Sequence, residues 1–95
     1  MPAYVIANIR VKDPEGYKEY RKLSGPTLEA HGGRFLVRAG DTTVLEGEWD
    51  TGRLVVLEFP DSARAREWWN SPDYVRAREI RQRTAITDMV LVEGT

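Results

Sequence analysis

The sequence predicts an α+β domain built on one antiparallel sheet of four strands, with helices on one face. Three observations carry this expectation. Alternating apolar residues mark extended runs, acid-proline pairs open helices between them, and glycine or proline punctuates most junctions.

Ala3 to Val11 puts Ala3, Val5, Ala7, Ile9 and Val11 on one face of a strand and Tyr4, Ile6, Asn8 and Arg10 on the other. Asp13-Pro14-Glu15 then supplies an N-cap carboxylate, a proline at the first helical position and an acid near the positive end of the helix dipole. Tyr17, Tyr20, Ser24 and Leu28 recur at helical spacing and define a buried stripe, while Gly25-Pro26 predicts a break or kink within it. His31-Gly32-Gly33 ends the helix. From Arg34 to Ala39, the residues Arg34, Leu36 and Arg38 alternate with Phe35 and Val37 as a second strand.

Gly40-Asp41 and Asp50-Thr51-Gly52 are turn segments on either side of a short extension from Thr43 to Trp49, which together predict a hairpin arm. Arg53 to Phe59 is a third strand, closed by Pro60. Asp61 or Ser62 caps a helix carrying Ala65, Trp68 and Trp69, and Ser71-Pro72-Asp73 restarts it with a second cap. Ala85 to Glu93, containing Met89-Val90-Leu91-Val92, supplies the fourth strand.

The order βαββαβ is the ferredoxin-like split arrangement, a four-stranded antiparallel sheet with helices on one face. The face assigned to the helices carries Val5, Ala7, Ile9, Phe35, Val37, Val55, Leu57 and Phe59. On the opposite face Tyr4, Ile6, Leu36, Leu54 and Val56 form an apolar patch that a monomer would leave in water. A two-fold copy packed sheet to sheet would cover it, so a homodimer is expected.

With 95 residues the chain makes a single domain, 1–95, whose modest core leaves stability marginal and favours pairing. Hydrophobic residues at 41% and charged residues at 31% belong to an ordinary globular chain, and no apolar run is long enough to cross a membrane. The amino terminus lacks the pattern of a signal peptide, so a cytoplasmic protein is expected. Without cysteine there is no disulfide, thiolate metal site or cysteine nucleophile. A net charge of -1 gives no general attraction to nucleic acid, and the basic stretch Arg76, Arg78, Arg81 and Arg83 is interspersed with acids, as on a solvated helix face. No nucleotide loop, zinc pattern or serine-nucleophile elbow is present; no cofactor and no metal are expected.

Several runs, taken together and in order, resemble a known family. They are Asp13-Pro14-Glu15 with Tyr17 and Tyr20, Gly32-Gly33-Arg34-Phe35-Leu36-Val37-Arg38, Val55-Val56-Leu57-Glu58-Phe59-Pro60, Trp68-Trp69-Asn70-Ser71-Pro72-Asp73-Tyr74 and Leu91-Val92-Glu93-Gly94. The chain resembles the family called domain of unknown function 1330 over nearly its whole length. That resemblance implies membership of the dimeric α/β-barrel superfamily, whose members range from cofactor-independent monooxygenases to isomerases and haem proteins. It implies a fold and a mode of pairing, and carries no catalytic set to particular residues.

Two groups of residues are candidates for chemistry. Strand parity puts Asn8, Arg38 and Glu58 on the face that a dimer would enclose, where they would hold a polar ligand, or Glu58 would serve as a base. The alternative for this set is an interfacial Arg38–Glu58 ion pair. The second group is aromatic: Tyr17, Tyr20, Trp68, Trp69 and Tyr74 would wall a pocket for a planar metabolite or simply fill the core. His31, the only histidine, suits a helix C-terminus; as a proton shuttle it would have to face a pocket. Trp49 on the arm is expected to anchor the dimer rather than cover a pocket.

The leading expectation is a homodimer that binds a small organic metabolite. The first alternative is a cofactor-independent enzyme, monooxygenase-like or isomerase-like, using Glu58, His31, Tyr20 or Tyr74 for proton transfer. The second is a structural or interaction module without a ligand.

Overall fold

In a computed structural model describing residues 1–95, the elements run β1 (Ala3–Val11), α1 (Pro14–Ala30), β2 (Arg34–Arg38), β3 (Arg53–Phe59), α2 (Ser62–Asn70), α3 (Pro72–Thr84) and β4 (Ala85–Glu93). The strands form one antiparallel sheet in the order β2-β3-β1-β4, and the helices cover one face. The result is a slab of 35 × 32 × 16 Å, two layers thick.

Local chemistry sets most boundaries. The Asp13 carboxylate accepts from the Gly16 N–H, Asp61 from Arg64 N–H and Ser71 Oγ from Tyr74 N–H, so each helix opens on a side-chain cap. Gly32, at φ +75°, takes the left-handed turn just beyond α1 that other residues adopt only at a cost.

Ala3, Val5, Ala7 and Ile9 of β1 and Val55, Leu57 and Phe59 of β3 are buried beneath the helices, as their alternation predicts. Above them runs an aromatic column. Phe59 lies 5.3 Å from Trp68, Trp68 3.9 Å from Tyr74, Tyr74 6.3 Å from Tyr20, and Tyr20 5.4 Å from Tyr17, centroid to centroid. Trp68 Nε1–H donates to Thr27 Oγ1, whose hydroxyl donates to the Ser24 carbonyl, tying α2 to α1.

Three expectations are corrected. First, α1 runs unbroken through Gly25-Pro26. Pro26 withholds one N–H from the Lys22 carbonyl on the exposed side of the helix, where water can replace it, while the opposite side is held down by Tyr20, Ser24, Thr27 and Leu28. Second, Thr43 to Trp49 pairs with no strand; the segment between β2 and β3 is an irregular exposed loop, because nothing within it faces a core.

Third, strand parity fails in β2. Phe35 pairs with Leu57, but Val37 pairs with Val56 and Arg38 with Val55, so a bulge at Leu36 inserts one residue. Val37 therefore moves to the uncovered face, and Arg38 moves from it to the helix side.

Removing the centre of the aromatic column is expected to be severe. Trp68→Ala should cost about 3–5 kcal/mol in urea unfolding, a large share of the roughly 5–15 kcal/mol available to a domain. A loss below about 1 kcal/mol would mean that the column does not hold the helices to the sheet.

Candidate functional site

The polar set expected on the uncovered face divides into three separate arrangements. The Asn8 amide is engaged at both ends: Nδ2 donates to the Asp50 carbonyl at 3.3 Å and Oδ1 accepts from the Gly52 N–H at 2.7 Å. Arg10 joins it, with Nη2 donating to the Asp50 carbonyl at 2.6 Å and Nη1 3.1 Å from its carboxylate. Asn8 and Arg10 thus clamp the base of the β2–β3 loop, and Gly52 is required there because a Cβ would strike the Ile9 carbonyl. Glu58 pairs with Arg34, whose Nε and Nη2 lie 2.7 and 2.6 Å from Oε1. The expected Arg38–Glu58 pair is absent, because the bulge has turned Arg38 away.

Arg38 instead stands at the mouth of a cleft between α1 and the sheet. Tyr17, Tyr20, Phe35 and Trp68 wall this cleft, and Arg21, Arg38 and Arg53 edge it. The Arg38 guanidinium lies 4.3 Å from the Phe35 ring centroid and that of Arg53 5.7 Å from Tyr17. None of the three arginines has a carboxylate within 4.0 Å. Arg53 Nε is shut off from solvent and meets no acceptor. The enclosed volume is about 40 Å³, room for a water or two.

Of the residues considered for proton transfer, only Tyr20 reaches this cleft. Its hydroxyl lies 3.0 Å from that of Tyr74, which is fully buried in the column. Burial, then the Tyr74 phenol and the hydrogen bond to it, push the Tyr20 pKa well above its ordinary 10.0; Arg81 opposes this more weakly. Tyr20 is therefore a neutral hydrogen-bonding group at physiological pH, not a base. His31 caps α1: its backbone N–H donates to Leu28, and Nδ1 lies 3.0 Å from the Thr27 carbonyl. Trp69 lies outside the cleft, 4.2 Å beneath the Arg78 guanidinium. No three histidine, aspartate or glutamate side chains gather as metal ligands would.

Sequence patterning does not single out Arg21 or Arg53, and it places Arg81 on a solvated face. Arg81 is in fact 3% exposed. The signal was present, since Tyr74, Ala77, Arg81 and Thr84 make one inward stripe on α3.

Fold and site together define a ferredoxin-like α+β protein with an arginine-edged aromatic cleft on one side of its sheet and an uncovered apolar face on the other. More narrowly, the chain belongs to the family called domain of unknown function 1330, whose profile matches residues 2–95. No curated protein matches the sequence. Among solved structures, a protein of unknown function from Rhodopseudomonas palustris is similar at 22% identity with a TM-score of 0.79, covering 99% of this chain and 82% of that one. A dimeric ferredoxin-like protein of unknown function from Jannaschia sp. CCS1 is similar at 14% identity and a TM-score of 0.74, covering 99% and 100%. SnoaB, a cofactor-independent oxygenase from Streptomyces nogalater, is similar at 12% identity and a TM-score of 0.66, covering 99% and 93%. These likenesses establish the shared fold. No helix is long and apolar enough to cross a membrane.

The Tyr20 shift has a definite pH signature. Its folded pKa is raised, so its contribution to stability is complete below pH 10.0 and is lost at higher pH, where the unfolded chain releases a proton that the folded chain retains. Urea midpoints measured between about pH 9 and pH 11 should fall more shallowly in Tyr20→Phe than in the parent chain. Parallel curves would show that Tyr20 ionises freely in the folded state.

Proposed function

We propose that the chain acts as a homodimer, its sheets packed face to face, and that each protomer binds a small organic anion at the cleft between α1 and the sheet. The observation that carries the ligand is the trio Arg21, Arg38 and Arg53: guanidinium groups around an aromatic mouth, none with a carboxylate within 4.0 Å. Aromatic walls suit a planar body, and guanidinium forks suit carboxylate, sulfonate or phenolate oxygens. A ligand would occupy the open mouth, because the enclosed end admits little more than a methyl group or water.

Pairing is supported by the surface left over. A compact monomer of 10.9 kDa exposes about 5,600 Å², whereas this chain exposes 6223 Å². Ile86, Val90 and Val92 of β4 lie on the uncovered face with Ile6, Val37 and Val56, and Val90 is 58% exposed. On the β2–β3 loop Leu45 is 95% exposed and Trp49 57%, so this loop would join the same interface.

An enzymatic reading draws less support from the geometry. Glu58 is held by Arg34, His31 by the end of α1, and Tyr20 is kept neutral. A module without any ligand would leave no buried donor unmet in the cleft, whereas Arg53 Nε is shut off from solvent and meets no acceptor.

Light scattering should return a dimer at micromolar concentration, and Val90→Glu should return a folded monomer with an unchanged circular dichroism spectrum. A monomeric parent chain would remove the proposal of pairing. For the ligand, anilinonaphthalene sulfonate should bind with enhanced fluorescence, and Arg38→Gln or Arg53→Gln should weaken it by about tenfold each. Equal affinity in all three proteins would place the dye, and the anion site, elsewhere.

A further inference from the structure

Next to the arginine-edged cleft, on the same side of the sheet, an apolar groove of about 200 Å³ runs between α2 and β4. Val5, Leu91 and Trp69 are among its walls. Two residues, Trp68 and Met89, line both the cleft and the groove, so their side chains form the partition between them. The sheet is continuous beneath that partition. Ala7 of the cleft pairs with Met89, and Val5 of the groove pairs with Leu91, in the β1–β4 register.

The two halves of the partition are held with different firmness. Trp68 is 2% exposed, donates its indole N–H to Thr27 Oγ1 and packs between Phe59 and Tyr74. Met89 is only partly buried, its side chain is unbranched with three rotatable bonds, and its partner on β1 is the small residue Ala7. It also borders a third hollow, of about 380 Å³ between α3 and β4, which leaves it room to turn. Met89 is therefore the movable part of the wall.

The enclosed part of the cleft is about 40 Å³ and the groove about 200 Å³, each below the roughly 300–1,000 Å³ of small-molecule sites. Joined, with the space that Met89 vacates, they approach the lower end of that range. We propose that Met89 gates a passage from cleft to groove, and that the cleft's ligand is a carboxylate carrying an unbranched alkyl chain, which rests on the anion site proposed above and narrows its ligand. The head lies at Arg21, Arg38 and Arg53, and the tail passes Met89 to lie against Trp68 and Trp69. An unbranched tail takes the place of the unbranched side chain it displaces, whereas a ring is too wide for an opening one side chain across. The groove is apolar apart from Arg66, as a hydrocarbon tail requires.

Calorimetric titration of the full chain with butanoate, hexanoate, octanoate and decanoate tests this. Affinity should rise about fourfold for each methylene buried beyond Met89. The Met89 ε-methyl carbon signal, one of only two from methionine, should shift with octanoate and stay in place with butanoate. Met89→Ile, of similar bulk but stiff at χ1, should keep the affinity for butanoate and flatten the gain with length. Met89→Ala should bind octanoate more tightly than the parent chain, because its passage stands open. Arg38→Gln should weaken every acid alike, by about tenfold. An equal gain with length in the parent and Met89→Ile, or a Met89 methyl unmoved by octanoate, would overturn the passage. Neutral octanol separates the passage from the anion site: if it shifts the Met89 methyl while Arg38→Gln leaves octanoate affinity unchanged, the passage stands and the anionic head group falls.

Discussion

A four-stranded sheet has two faces, and the three helices of this chain cover only one of them. The slab is 16 Å thick, with no third layer to shield the remaining face. Other features follow from this asymmetry. The helix side receives aliphatic and aromatic residues packed as a single core, with Trp68 and Tyr74 at its centre. The uncovered side keeps an apolar centre of Ile6, Val56 and Val90, with polar positions at its margins that pair among themselves.

The one-residue bulge at Leu36 redistributes charge across that division. A regular β2 would have set Arg38 beside Glu58 on the uncovered face. Instead Arg34 neutralises Glu58 there, and Arg38 joins Arg21 and Arg53 over the aromatic cleft. One inserted residue thus leaves Glu58 paired with Arg34 on one face and brings a third guanidinium to the cleft on the other.

Aromatic residues that sequence reasoning could assign either to a pocket or to the core divide between the two. Tyr74 is a packing residue, sealed within the column. Tyr17, Tyr20 and Trp68 belong to the column and also line the cleft, so a ligand there would rest on the core itself. Asn8 was legible as a polar residue on an interior strand, but its task was not: its partners Asp50 and Gly52 lie across the β2–β3 loop, far along the chain. Arg81 was half legible, falling on the inward stripe of α3 where a charged residue is ordinarily assumed to face water.

What the sequence by itself determined was the local layer of the structure: strand alternation, the three helix caps and the order βαββαβ. Each depends on residues within a few positions of one another, and the caps close hydrogen bonds within three residues. Tertiary structure alone decided the side of the sheet taken by Arg38, the unbroken course of α1 through Pro26, the loop in place of a hairpin arm, and the burial of the Arg81 guanidinium. In each case the outcome depends on whether another element lies alongside, and alternation along one strand or periodicity along one helix carries no record of that.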